Sequence, residues 1–171
     1  GADLGILLVG ANRGEPKLEL RNSVIHNSGA YGVYAQQGSL VIENSEISNC
    51  GEACLLQLGG SLRMAHTTIA NYYRYADRKT ASVRILNHFK QNGTSLYFPI
   101  TSTVIENSII FGSNAEELEL GVDTTTIVDY NVILSHTLIK GKRLETPNFI
   151  DCYWAKSRNE RNGIDTVFVN T

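Results

Sequence analysis

Apolar and polar positions alternate along residues 18–28, LELRNSVIHNS, and the same succession returns as LVIENSEISNC at 40–50 and LRMAHTTIANY at 62–72. Both intervals are 22 residues (40 − 18 and 62 − 40). Aligning Asn22, Asn44, His66, Asn107 and His136, each followed by Ser or Thr, extends the pattern to five copies spaced by 22, 22, 41 and 29 residues. Four residues before this column stand Leu18, Leu40, Leu62, Thr103 and Val132, and two before it Leu20, Ile42, Met64, Ile105 and Leu134. Three residues after it stand Ile25, Ile47, Ile69, Ile110 and Ile139. A period of this length marks a solenoid, whose units bury their apolar faces only against their neighbours.

The spacing also predicts the elements within each unit. Apolar positions two apart describe a pleated strand with one buried face. Leu20 and Ile25 are five apart, so the parity breaks at Asn22 and Ser23 and the chain must bend there to return Ile25 to the same interior. A third apolar strand follows in each unit, around Val33 to Ala35, Leu55 to Gln57, Val83 to Ile85 and Leu118 to Leu120. Three short strands per 22 residues make one coil of an all-β parallel β-helix. Coils would hydrogen-bond to one another at roughly 4.8 Å. Asn22, Asn44, His66, Asn107 and His136 are expected to form a structural ladder at the corner. Asn tolerates left-handed backbone there, and its amide is expected to bond the same position one coil away. A second column, Asn27, Asn49, Asn71, Gly112 and Gly141, is expected to turn the chain with positive φ.

These patterns lay out a single domain over residues 1–171. A partial first coil occupies 1–16 and about five regular coils occupy 17–142, with insertions near 72–80, 87–101 and 121–128. An irregular terminal segment is expected over 143–171. Because the sequence starts at Gly1 and partway through a coil, it is expected to be a piece of a longer protein. The open end is expected to self-associate or to be covered by missing N-terminal coils, since an uncovered coil leaves strand edges available for pairing.

Composition narrows the function classes. The chain is 42% hydrophobic and 19% charged, ordinary values for a globular protein. Its formal charge is −2, and no basic stripe runs along it, which argues against nucleic acid. No apolar run approaches the roughly 18 residues of a membrane span. Cys50, Cys54 and Cys152 have neither zinc-site spacing nor disulfide density and are expected to be free thiols. No cofactor or metal is implied: a phosphate loop, a His-Glu-x-x-His and a Gly-x-Ser-x-Gly are all missing from the sequence.

Polysaccharide cleavage would need carboxylates converging on one groove. The position before each corner carries Arg21, Glu43, Ala65, Glu106 and Ser135, enough for one neighbouring Arg–Glu pair, and the six Asp residues share no column. No catalytic residue is assigned. The stretch NYYRYADRKT at 71–80 departs from the repeat and gathers aromatic rings and cations. Tyr72, Tyr73, Arg74, Tyr75 and Arg78 are therefore the candidate ligand-binding residues, with the 87–101 insertion expected to wall the same groove. Rings stack on sugar faces and guanidinium groups pair with acids. The alternative is that the rings pack beneath the 87–101 insertion.

The stretches SNCGEACLLQLGG, HTTIANYY and SHTLIKG resemble secreted and cell-surface right-handed parallel β-helix repeat proteins of Gram-negative bacteria, a fold shared with pectate lyases, polygalacturonases and pectin esterases. The resemblance implies a right-handed coil and an extracellular or cell-surface setting. It carries no activity with it, because one fold hosts many functions. Three readings follow: a non-catalytic module, structural or glycan-binding; part of a polysaccharide-active lyase or hydrolase; and an adhesive module stacking through its coil ends.

Overall fold

In the computed structural model, which describes residues 2–10, 16–125 and 128–156, every described element is a β-strand. Three parallel sheets wrap one interior. The first holds β1 (Leu4–Val9), β4 (Tyr31–Gln36), β7 (Leu55–Leu58), β10 (Val83–Leu86) and β15 (Leu118–Gly121). The second holds β2 (Lys17–Arg21), β5 (Ser39–Glu43), β8 (Gly60–Ala65), β13 (Ile100–Glu106), β16 (Tyr130–Ser135) and β18 (Phe149–Ile150). The third holds β3 (Val24–His26), β6 (Glu46–Ser48), β9 (Thr68–Asn71), β14 (Ile109–Gly112), β17 (Leu138–Lys140) and β19 (Tyr153–Ala155). Successive coils stack strand on strand, as the repeat predicts.

The predicted interior columns pair in register. Ile25, Ile47, Ile69, Ile110 and Ile139 stand one above the next in the third sheet. Leu20, Ile42, Met64, Ile105 and Leu134 do the same in the second. All except Leu20 and Ile25, in the first of these coils, are fully buried. Thr103 interrupts its apolar column, and its hydroxyl bonds the buried Gln57 Oε1 at 2.8 Å.

The corners are built differently from expectation. Asn22, Asn44, His66, Asn107 and His136 all have left-handed φ, between 48° and 50°. Their side chains, however, are exposed. Each backbone N–H donates across to the neighbouring coil, as Asn44 does to Ala65 O at 3.2 Å and His66 to Glu106 O at 3.2 Å. The side-chain ladder belongs to the next residue. Ser45 Oγ accepts the Ser23 N–H at 3.1 Å, and Ser108 Oγ accepts the Thr67 N–H at 3.2 Å. Those hydroxyls donate to Glu43 O and Glu106 O, both at 2.8 Å. The reason is geometric: a left-handed residue points its side chain out of the bend, so the short hydroxyl behind it meets the orphaned amide. Asn44→Ala should therefore cost about 1 kcal/mol, the steric penalty of a left-handed Cβ that Asn tolerates, and Asn44→Gly only a few tenths. Urea midpoints of both variants check this; equal losses would restore a role for the amide.

Two further expectations change. In the second column positive φ occurs at Asn27 (60°), Asn49 (53°) and Gly141 (157°), but Asn71 is buried and uses Oδ1 to accept the Cys50 N–H at 2.9 Å. The terminal segment is not wholly irregular. Asp151 takes φ 49° and makes another corner, so β18 and β19 add a rung to two sheets. There Phe149 and Trp154 stack on Leu134 and Ile139, their rings edge to face with centroids 5.2 Å apart, and aromatics end the aliphatic columns. Residues 157–171 lie outside the described part.

Candidate functional site

The insertion at 72–80 leaves the third sheet where β9 ends and returns to the first at β10. A buried ion pair holds its base. Arg78 donates to Glu117 Oε1 at 2.6 Å, with side-chain exposures of 1% and 0%. Arg78 also donates to the backbone oxygens of Thr80 and Asn71. Glu117 additionally accepts the N–H groups of Asn114 (2.7 Å) and Ser82 (3.0 Å) and the Ser82 hydroxyl. Charges this deep persist only when paired and hydrogen-bonded. Arg78 accordingly leaves the set of candidate ligand contacts, because its guanidinium is committed to tying the insertion to the next coil.

The rest of the stretch faces outward. Tyr75 is 85% exposed and Tyr72 is 36% exposed. Tyr73 is half-buried, resting on the turn of the preceding coil, where a Cβ at Gly51 would lie 3.4 Å from its ring. Tyr73 and Tyr75 meet edge to face, with centroids 5.5 Å apart and planes at 69°. Together with Arg74 they wall a cavity of about 900 Å³ on the outer face of the third sheet. Small side chains, Thr68 and Ala70, form its floor; Asn27 and Asn49 line one end, and Ile109 and Phe111 the other. Phe111 is fully buried although it faces outward from its strand, and Lys140 Nζ lies 5.5 Å above its ring while donating to Gly112 O at 2.7 Å. Burial lowers the Lys140 pKa, and the nearby Glu117 carboxylate opposes that shift.

The 87–101 insertion does not share this groove. It leaves from the opposite corner, between the first and second sheets, and folds as an antiparallel hairpin of β11 (His88–Gln91) and β12 (Thr94–Tyr97). Asn92 and Gly93, with φ of 50° and 80°, make its turn, as two-residue hairpin loops require. Phe98 follows the hairpin and packs on Leu56, Leu58 and Leu86 outside the first sheet. The hairpin is clasped to the 121–125 segment: Asp123 N–H donates to Asn87 Oδ1 at 2.8 Å, and Tyr97 and Thr125 hydroxyls bond at 2.7 Å. Bonds from Thr125 hold the Asp123 carboxylate below its ordinary pKa.

Other polar groups assemble that the sequence columns did not reveal. Glu19, Arg21, Glu43, Arg63 and Glu106 form one alternating ion-pair chain across the outer face of the second sheet. Arg63 was invisible to the alignment because it enters from the column two positions earlier. Exposed pairs of this kind are each worth about 0–1 kcal/mol. On the first sheet Arg84 grips Glu119 through two nitrogens, at 2.6 and 3.2 Å, and Tyr31 donates to Glu52 at 3.2 Å. The bond to Glu119 raises the Arg84 pKa against its own desolvation, while burial and then Glu52 raise that of Tyr31. Each of these carboxylates thus already has a partner.

The cysteines are free; Cys50 and Cys54 are buried and Cys152 is half-buried. Burial pushes the Cys54 thiol well up, and its hydrogen bond to Cys50 lowers the latter. Among the described residues no group of three or more His, Cys, Asp or Glu is placed to hold a metal ion. No helix among them is long and apolar enough to cross a membrane.

A family described as a right-handed β-helix region matches residues 4–165. The chain belongs to the right-handed β-helix family. Comparison with curated proteins finds no match, and comparison with solved structures finds none. Within this β-helix the groove stands out because the regular coils have only shallow outer faces, whereas an anchored insertion raises aromatic walls above one of them.

Proposed function

We propose that this β-helix is a non-catalytic module that binds a carbohydrate chain in the third-sheet groove, on a protein displayed outside the cytoplasm. The observation that carries the reading is Tyr75, an aromatic ring left 85% exposed at the rim of a groove whose wall is anchored by a buried ion pair. A large ring costs free energy in water, and a sugar face is the kind of flat, partly apolar surface that covers it while its hydroxyls bond amides such as that of Asn49. The setting outside the cytoplasm rests on the resemblance of the repeat to secreted and cell-surface proteins.

Replacing Tyr73 and Tyr75 together by Ala should weaken binding by about 2 kcal/mol, the scale of one buried aromatic contact, or roughly thirty-fold. Calorimetric titration with a panel of soluble oligosaccharides measures it. Unchanged affinity in the double variant would leave the rings a packing device. A second reading, cleavage of such a chain, draws on Tyr31, Arg84 and Glu119 on the first sheet and Glu52 in the bend before β7; release of new chain ends from a polysaccharide would support it.

A further inference from the structure

We propose that Cys50 and Cys54 are a redox pair that closes into a disulfide across the bend joining the third sheet to the first. The structure shows the pair reduced. Both residues lie between β6 and β7, outside the strand ladders, and both are fully buried in the main interior cluster. A side chain added at Gly32 would meet Cys54 O at 2.7 Å and Cys50 Sγ at 3.1 Å, so the sulfur of one cysteine and the backbone of the other converge on one point. The bend between them is pinned at its middle to the preceding coil. Gly51 N–H donates to Ser28 O at 3.0 Å and Glu52 N–H to Ala30 O at 2.8 Å, which keeps the two ends close. Cys152 is no competing partner. It precedes β19, four rungs from β6 in the third sheet. Four inter-strand steps are about 19 Å, whereas a disulfide requires Cα atoms within about 7 Å. Nor is metal ligation the competing role, since among the described residues no group of three or more potential ligands includes the pair.

The surroundings assign the order of the two steps. The Cys54 thiol bonds Cys50 and lowers its pKa; burial opposes that shift, while Ser28, through N–H and hydroxyl, and the Gly32 N–H reinforce it. Burial raises Cys54. The thiolate is the attacking form, so Cys50 reacts first. The oxidant is a small-molecule disulfide. On opening of the bend, the Cys50 thiolate attacks one of its sulfurs, the S–S bond breaks, and one small thiol leaves. Cys54 then gives its proton to water and attacks the Cys50 sulfur, displacing the second small thiol. The protein loses two hydrogens and two electrons, and the small disulfide gains them. A setting outside the cytoplasm, as proposed above, supplies such oxidants. The bond would fix the seat of the 72–80 insertion, because Asn71 Oδ1 accepts the Cys50 N–H at 2.9 Å and Tyr73 rests on Gly51. The pairing does not depend on carbohydrate binding and stands if that reading fails.

The test refolds the 171-residue chain from urea in a buffer of reduced and oxidised glutathione, then alkylates the remaining thiols in denaturant and maps the peptides by mass spectrometry. The peptide bearing Cys50 and Cys54 should be two hydrogens lighter than its dithiol form and carry no alkyl group, while Cys152 should be alkylated. A second measurement follows thermal unfolding with and without a strong reductant. Reduction should lower the Tm of the oxidised chain by about 4–8 °C, the shift for opening so short a loop in a chain of this size. In Cys54→Ala the Tm should no longer respond to reductant, whatever that variant's own stability. A dithiol peptide in a chain that has regained its native circular dichroism overturns the proposal, as does a disulfide joining Cys152 to either residue. A Tm that reductant leaves unchanged, or lowers equally in Cys54→Ala, overturns the locking of the bend.

Discussion

Glu117→Ala is expected to destabilise the protein by about 3–5 kcal/mol, the cost of leaving a buried charge without its partner. The site leaves little room for relief. Arg78 and Glu117 have side-chain exposures of 1% and 0%, and Glu117 also accepts two backbone N–H groups that no other side chain reaches. Arg78 already has one buried nitrogen, Nε, without a hydrogen-bond partner, so the guanidinium has no slack in which to find a new acceptor. Glu117→Gln should cost less, because its remaining oxygen can still accept some of the same donors. Urea unfolding followed by circular dichroism measures the difference. A loss under about 1 kcal/mol for the Ala variant would mean that the pair opens to water. Protease sensitivity should rise first within 72–80 if the insertion depends on this anchor.

Ile69→Ala should cost about 2–5 kcal/mol and Ile69→Val about 0.5–1.5 kcal/mol, the range for shaving a close-packed interior. Ile69 stands between Ile47 and Ile110 in the third-sheet column and is fully buried. Its own strand carries Thr68 and Ala70 on the opposite face, so the cavity left behind would lie directly beneath the groove floor. Ile25→Ala, in the first coil of the column, should cost less because one side of that residue is already uncovered. Val24→Ala, on a side chain 65% exposed, should fall within about 0.5 kcal/mol. Unfolding midpoints rank the four variants. A cost at Ile69 no greater than at Val24 would contradict the stacked interior.

How much of this was legible in the chain depends on whether a feature repeats. The parity break at Asn22, Asn44, His66, Asn107 and His136 located five corners between the second and third sheets, because only a bend lets residues five apart share an interior; the sixth, at Asp151, escaped it. It did not reveal what satisfies the corner: an amide ladder and a hydroxyl ladder write the same Asn-Ser pattern. Left-handed φ decides between them by pointing Asn outward. Asn92 and Gly93 spell a two-residue hairpin turn, a local signal readable without any partner, whereas the repeat shows 87–101 only as an insertion. The stretch FIDCYW at 149–154 resembles a further corner but follows the previous one too closely for a full coil, and that short spacing hid the added rung in which Phe149 and Trp154 continue the interior columns.

The site was legible only in part. Tyr72, Tyr73, Arg74 and Tyr75 stood out because they break the repeat, and the structure brings them to one groove. Arg78 carries the same composition signal but the opposite role. Its partner lies 39 residues away, across the 87–101 insertion that breaks the period, and Arg78 itself stands in an insertion, so no column could have paired them. The floor and far walls, Asn27, Asn49, Thr68, Ala70 and Phe111, come from four regular coils and read individually as ordinary repeat positions. Only stacking makes them one surface.

The most direct measurement is an amide chemical-shift map of the isotope-labelled chain titrated with the tightest-binding oligosaccharide of the panel. Shifts should concentrate at Asn49, Ala70 and Tyr75, on the outer face of the third sheet and its insertion, and should vanish from that region in the Tyr73 and Tyr75 double Ala variant. Shifts centred instead on Tyr31, Arg84 and Glu119 would place the ligand on the first sheet and contradict the account.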